Sequence, residues 1–405
     1  MLALPAETFH AGFLPSVAGL SFCWVFTYVT SIVTLEASWI SIQHDGNSER
    51  SGSGGGFLTV ARTAFGLPGE IVTGALFWFL LTSIVVAYTA EGGQLLAQFV
   101  GDIPSAHSNL PPALGSVIFA TFFGSIAANG TSKVDAVNRI FVFGLVWTFV
   151  GLVGFGFPLI DVHNLVQRAD WSEIYPTVLS IGILSFGAQN TVPTLFQYLG
   201  NDPNRTQKAI LFGTLTPLVM YTVWEAVFLG IVSMDAAAPA GGGEASKMQV
   251  VTVLGETGGT IIKEFVKVFS VCAIGSSMAG ASISLVDFCE DVAAVVTRSE
   301  SENNNSNRLL AVVLALGPPV VLSYVFPNIF LVALEEAGLF GGVSLYGILP
   351  ALCILNLRKN SERDSTKLRM PCRLGGGDLA LYALLMISSC LVLPEIIRLA
   401  SSIKL

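Results

Sequence analysis

The feature that most constrains this chain is a succession of apolar segments, each long enough to cross a lipid bilayer. A helix needs about 20 mainly apolar residues to span the hydrocarbon core. Only helices and closed barrels satisfy all their backbone hydrogen bonds in lipid, so the pattern predicts an all-α polytopic membrane protein. Ten segments meet or approach the required length: residues 13–40, 70–100, 113–129, 140–159, 178–199, 209–233, 265–290, 309–326, 329–356 and 378–397.

The composition agrees with a chain that is surrounded mostly by lipid. Only 12% of the residues are charged, and the mean hydropathy is +0.69. A soluble domain carries about 25% charged residues. No polar block is long enough to fold alone, so we expect one transmembrane domain over residues 1–405.

The sequence shows no motif of an enzyme, a cofactor site or a metal site. It has no P-loop, no HExxH and no GxGxxG pattern, and its cysteines form no CxxC pair. No basic run indicates nucleic acid, and no obligate protein partner is evident. We therefore expect a protein that is not an enzyme and that uses no cofactor or metal.

Lysine and arginine are concentrated in alternate loops, most densely between Arg358 and Arg373. Cytoplasmic loops carry the excess of these residues. This side of the membrane is therefore predicted to be cytoplasmic, or its topological equivalent. The sequence leaves open whether the membrane is the cell membrane or that of an organelle such as a plastid.

The segment 178–199 contains a polar interruption that reads LSFGAQNTVPT over residues 184–194. Pro193 removes a backbone donor and obstructs the preceding turn. Polar groups at membrane depth are tolerated only inside protein or beside a water-filled cavity. Discontinuous helices of this kind form substrate sites in transporters. A proline-kinked packing helix with an interhelical hydrogen bond explains the same residues equally well.

Several acidic residues fall inside apolar segments, where an ionisable group is a functional candidate by default. Glu91 and Glu225 lie deepest along their segments and are the main candidates for proton coupling, with Asp287 as a third. Asp287, Glu36 and Glu290 lie near helix ends on the positive side, where their carboxylates can reach water. For each acid, a structural hydrogen bond between helices is the alternative.

The interrupted segment resembles a known family. Ser185–Thr194, which reads SFGAQNTVPT, resembles the SFG…VP segment in helix 6 of the tyrosine/tryptophan permease family. The resemblance implies a LeuT-type fold, with two inverted five-helix repeats and an eleventh helix, and proton-driven symport of aromatic amino acids. Four further stretches resemble family motifs in the same order: 130–141, 217–224, 280–287 and 326–334.

The resemblance also implies which residues bind the substrate amino acid. Ser185, Phe186, Gly187, Gln189 and Asn190 match the broken helix 6, and we expect them to contact substrate. A permease for small polar amino acids and a non-transporting membrane sensor remain alternatives.

The resemblance also assigns two other parts of the sequence to positions in the family fold. Tyr88 matches a substrate-facing position on helix 3, opposite the broken helix. Met1–Pro5 matches only the second half of helix 1, so we expect the first half of that helix to be missing. On this interpretation the chain is part of a longer product or an inactive form.

Overall fold

The computed structural model describes residues 3–45, 55–101, 110–167, 169–175, 177–232, 258–297, 304–363 and 377–402. Every regular element in those ranges is helical. The α-helices are α1 (Ala3–Thr8), α2 (Phe13–Asp45), α3 (Gly55–Gly101), α4 (Pro112–Ala128), α5 (Thr131–Gly156), α6 (Val162–Gln167), α7 (Thr177–Ser185), α8 (Val192–Tyr198), α9 (Pro203–Ile231), α10 (Gly259–Thr297), α11 (Asn304–Val325), α12 (Phe330–Glu336), α13 (Leu349–Arg363) and α14 (Gly377–Ser402). Short 3₁₀ turns cover Phe157–Leu159, Trp171–Ile174 and Gln189–Thr191, and a π-helix covers Ala337–Ile348.

Eight helices in the described ranges are long and apolar enough to cross a membrane. They coincide with eight of the ten predicted segments. Of the other two, 113–129 forms the shorter apolar helix α4, and 178–199 is divided between α7 and α8. The prediction of an all-α, multi-pass integral membrane protein is therefore confirmed. The prediction of a single domain stays a prediction.

The chain forms two compact units that are interleaved in sequence. The first unit comprises Met1–Val17, Leu81–Val178 and Tyr221–Glu335, and the second comprises Ala18–Leu80, Leu179–Met220 and Glu336–Leu405. Each division between them falls inside a helix, namely α2, α3, α7, α9 and α12 in turn.

Small residues allow close helix packing in the first unit. A Cβ added to Gly275 of α10 would lie 2.8 Å from the ring of Phe141 on α5, and one added to Gly124 of α4 would lie 2.9 Å from Leu316 of α11. Small residues at such contacts let helix backbones approach closely, which is how helices associate in lipid.

The second unit has an apolar core between α2, α8 and α9. Ile32 and Leu35 of α2 pack with Val192 and Phe196 of α8 and with Ile210 of α9. Positions 32 and 35 are three residues apart, so both side chains lie on one face of α2. This contact places α2 beside the second half of the interrupted segment.

The helix α3 is kinked inside the second unit. Gly66 has φ 68° and ψ −155°, and Pro68, two residues on, has no backbone N–H to donate. The carbonyl of Ala64 therefore lacks its helical partner. Asn356 of α13 supplies one, since its Nδ2 donates to that carbonyl at 2.6 Å.

The π-helix packs closely on α7, also inside the second unit. A Cβ on Gly338 would collide with the backbone carbonyl of Ser180, and one on Gly342 would lie 3.7 Å from Ile183. Extended π-helices are rare, and π-bulges are frequent at functional sites. Here the glycines bring the π-helix against the helix that leads into the polar interruption.

Candidate substrate and coupling sites

The predicted break in the segment 178–199 is confirmed. The helix α7 ends at Ser185, a 3₁₀ turn covers Gln189–Thr191, and α8 begins at Val192. Between α7 and that turn, the Gly187 amide donates to the Leu184 carbonyl at 3.1 Å. The chain thus leaves α-helical geometry where Gly187 and Pro193 predicted it would, and some backbone groups are freed from helical pairing.

The five predicted substrate residues on this break all lie in the second unit. Phe186 is 3% exposed and Gln189 is fully buried, whereas Ser185, Gly187 and Asn190 are half-buried. They form one continuous turn between two short helices, which is a geometry that could hold a small zwitterion.

Gly187 has little space for a side chain. A Cβ added there would lie 3.0 Å from the carbonyl oxygen of Leu184 and 3.9 Å from the ring of Tyr346 on the π-helix. A larger side chain would fill the space beside the turn. Tyr346, which the sequence did not single out, therefore borders the break.

Gln189 is tied to α2 by a hydrogen bond that the sequence did not predict. Its Nε2 donates to Thr30 Oγ1 at 3.0 Å. The two residues are 159 positions apart, so only the fold reveals the pairing. The signal that could have drawn attention to α2 is a set of hydroxyl residues at helical spacing, beginning at Thr27.

Tyr88 belongs to the first unit, whereas Ser185–Asn190 belong to the second. The ring centroid of Tyr88 lies 6.4 Å from that of Phe330. Its proposed contact with substrate stays a prediction.

Glu91 is buried in the first unit without a full set of partners. It is 3% exposed, and its Oε2 has no hydrogen-bond partner among the described residues. The next two residues, Gly92 and Gly93, pack directly against Phe119 and Ser116 of α4. An ionised carboxylate in such a place costs several kcal/mol, so Glu91 is suited to hold a proton in this conformation.

Glu225 is also fully buried in the first unit. Its Oε2 accepts a hydrogen bond from Thr8 Oγ1 at 2.6 Å, whereas its Oε1 has no partner in the described part of the chain. This bond joins α9 to α1. Glu225 therefore makes one structural hydrogen bond, and its second carboxylate oxygen has no partner among the described residues.

Asp287 differs from these two acids because it is ion-paired. Arg308 of α11 contacts Asp287 at 3.2 Å and Glu290 at 2.9 Å. In the second unit, Arg358 likewise contacts Glu36 at 2.6 Å. We expected the Glu36 carboxylate to reach water. It is instead 3% exposed and is ion-paired with Arg358. The alternative that the sequence left open for each acid was a structural hydrogen bond between helices. Asp287 has its structural contact as an ion pair, and this favours Glu91 and Glu225 over Asp287 as candidates for proton coupling.

Known proteins match almost the whole length of this chain. Residues 1–394 match the model of the tryptophan/tyrosine permease family. Tyrosine-specific transport system 2 of Haemophilus influenzae is 26% identical over 394 residues, which cover 97% of this chain and 91% of that protein. The tryptophan-specific transport protein of Shigella flexneri is 26% identical over 365 residues, which cover 89% and 83%.

Solved structures show the same fold. MhsT in complex with L-phenylalanine matches with a TM-score of 0.61 and 16% identity, over 98% of this chain and 93% of that one. The manganese transporter of Eremococcus coleocola, in complex with an aromatic bis-isothiourea compound, matches with a TM-score of 0.57 and 13% identity, over 98% and 86%. The fold is thus of the LeuT type, while the inverted repeats and the eleventh helix stay predictions. Since the family model matches almost the whole length, this chain belongs to the tryptophan/tyrosine permease family.

Proposed function

We propose that this protein is a secondary active transporter that carries tyrosine or tryptophan together with protons. Family membership and the named activities of the relatives support a transporter of aromatic amino acids rather than an enzyme. The lipid bilayer, the amino acid and protons are its expected partners.

The observation that carries the proposal is the break between α7 and α8. The end of one short helix and the start of the next meet there, beside half-buried Ser185 and Asn190. The backbone carbonyls at the end of a helix favour cations, and the amides at the start of a helix favour anions. A zwitterionic amino acid carries both charges, and Phe186 offers an aromatic surface to its ring.

Proton coupling is assigned to the unpaired acids of the first unit. Glu91 and Glu225 each keep a buried carboxylate oxygen without a partner in the described ranges. A group of this kind gains or loses a proton when a conformational change admits water. Alternating access supplies such a change, because each side of the membrane reaches the interior in turn.

The experiment is uptake by proteoliposomes of purified full-length protein under an imposed pH gradient. Labelled tyrosine, tryptophan and serine are compared at equal concentration. Accumulation of tyrosine or tryptophan that a protonophore abolishes supports the proposal. Accumulation of serine alone would favour a permease for small polar amino acids, and uptake of none of the three would favour a non-transporting membrane sensor.

A further inference from the structure

One face of α2 carries a row of buried hydroxyl groups inside the second unit. Thr27, Thr30, Ser31 and Thr34 recur at the spacing i, i+3, i+4 and i+7, which places them on one side of the helix. Their exposed fractions are 0%, 0%, 0% and 1%. Gln189 reaches this face from the break through its bond to Thr30.

The hydrogen bond that Thr30 makes within α2 fixes the orientation of the Gln189 amide. The Thr30 hydroxyl donates its one proton to the carbonyl of Thr27 at 3.0 Å. It can therefore only accept from Gln189, and the group facing it must be the NH₂ end of the amide. The Gln189 Oε1 is left as an acceptor, and it is buried with no partner in the described residues.

Of the other three hydroxyls on this face, two have no hydrogen-bond partner among the described residues and one has a partner. Thr34 Oγ1 donates to the Thr30 carbonyl at 2.9 Å. Thr27 Oγ1 and Ser31 Oγ, by contrast, are buried without a hydrogen-bond partner in the part of the chain that is described. A buried polar atom without a partner costs roughly 1–3 kcal/mol. Two of these atoms lie on the face of α2 that Gln189 reaches, and the third belongs to Gln189 itself, so three polar atoms on these two elements lack a partner among the described residues.

We propose that Gln189 Oε1, together with the hydroxyls of Thr27 and Ser31, recognises the polar tip of an aromatic substrate. The tip is the phenol O–H of tyrosine or the indole N–H of tryptophan. The inference rests on the proposed function, and it adds that the protein discriminates against phenylalanine, which has no such donor.

The chemistry of the three atoms favours a neutral donor as the ligand. Gln189 Oε1 can only accept, and the hydroxyls can accept or donate. None of the three residues carries a charge that would compensate a buried cation. A site that hydrogen-bonds a substrate O–H or N–H rejects the analogue that lacks it, because the polar groups of the site are then left unpaired.

The test is uptake of labelled tyrosine, tryptophan and phenylalanine by proteoliposomes of the full-length protein. The wild type should prefer tyrosine or tryptophan over phenylalanine by about tenfold or more. Gln189→Leu should bring that ratio close to one while phenylalanine uptake is maintained. Thr27→Val should lower the ratio too, and it leaves the bond between Gln189 and Thr30 in place.

Thr34→Val is the matched control, because it makes the same change on the same face at a hydroxyl that already has a partner. Its substrate ratio should equal that of the wild type.

If Gln189→Leu fails to fold, the substrate ratios of Thr27→Val and Ser31→Ala decide whether the inference holds. An unchanged ratio in both, or a wild type that carries phenylalanine as well as tyrosine, overturns the inference and leaves the proposed function standing. A wild type that carries no aromatic amino acid refutes the proposed function itself.

Discussion

Replacement of Glu91 by glutamine tests whether a buried carboxyl group couples transport to protons. Glu91 is 3% exposed, and its Oε2 has no hydrogen-bond partner among the described residues. Glutamine has nearly the same shape but does not exchange a proton at neutral pH. We expect Glu91→Gln to abolish accumulation driven by a pH gradient while exchange of substrate continues.

The substitution should be nearly neutral for folding, which makes the functional effect interpretable. Oε2 has no bond to lose, and the isosteric amide fits beside the glycines that pack on α4. We expect the free energy of unfolding to change by less than about 1 kcal/mol. The effect on coupling is measured separately, as the accumulation of substrate. One proton that moves down a gradient of one pH unit releases about 1.36 kcal/mol, which supports roughly tenfold accumulation of substrate.

The assay compares two measurements on the same proteoliposomes. Under a gradient of about two pH units, one coupled proton allows the wild type up to about a hundredfold accumulation. Glu91→Gln should reach only equal concentrations inside and outside. In counterflow without a gradient, the two proteins should exchange labelled substrate at similar rates.

The matched control is Asp287→Asn, because the carboxylate of Asp287 is compensated by Arg308 at 3.2 Å. This variant should lose stability but keep its coupling. Glu225→Gln, tested in parallel, shows whether the second unpaired acid shares the role. Full gradient-driven accumulation by Glu91→Gln would refute the assignment to Glu91, and the same result in both glutamine variants would remove both acids as proton carriers.

Three further predictions concern the break, the packing of the π-helix and the kink in α3. Gly187→Leu should abolish substrate binding without unfolding, because the leucine side chain would occupy the proposed substrate space at the break; a substrate-induced thermal shift measures this. Gly338→Ala should lower stability by roughly 1–3 kcal/mol, since its methyl would collide with α7. Gly213→Ala, with nothing within 4 Å, is its control and should gain about 0.5–1 kcal/mol. Asn356→Leu should lower the melting temperature in detergent, because the carbonyl of Ala64 loses its 2.6 Å bond at a cost of roughly 1–3 kcal/mol, whereas Asn356→Gln keeps the donor.

The sequence predicts those parts of the fold that depend on local chemistry. The apolar length of the segments decides the number of candidate spans, and Gly187 with Pro193 predicts the break. Both follow from neighbouring residues alone, because lipid leaves a backbone few alternatives.

The parts that the sequence could not predict depend on contacts between distant residues. The depth of Glu225 was evident from its segment, but its partner Thr8 lies 217 positions away. The use of Asn356 to complete a kink in α3 spans 292 positions. The π-helix was equally hidden, because its residues fit a spanning α-helix just as well and only the backbone geometry reveals the wider turn.

The interleaving of the two units has a consequence for dividing the gene. Each unit consists of three separate segments, so neither unit can be expressed as a contiguous fragment, and every division between the units falls inside a helix. A cut at a division would expose unpaired backbone to lipid, which is costly. A cut between α8 and α9 avoids that cost, but the N-terminal and C-terminal fragments would each carry segments of both units. Co-expression of the two fragments is therefore the way to restore a whole protein, and neither fragment alone should carry substrate.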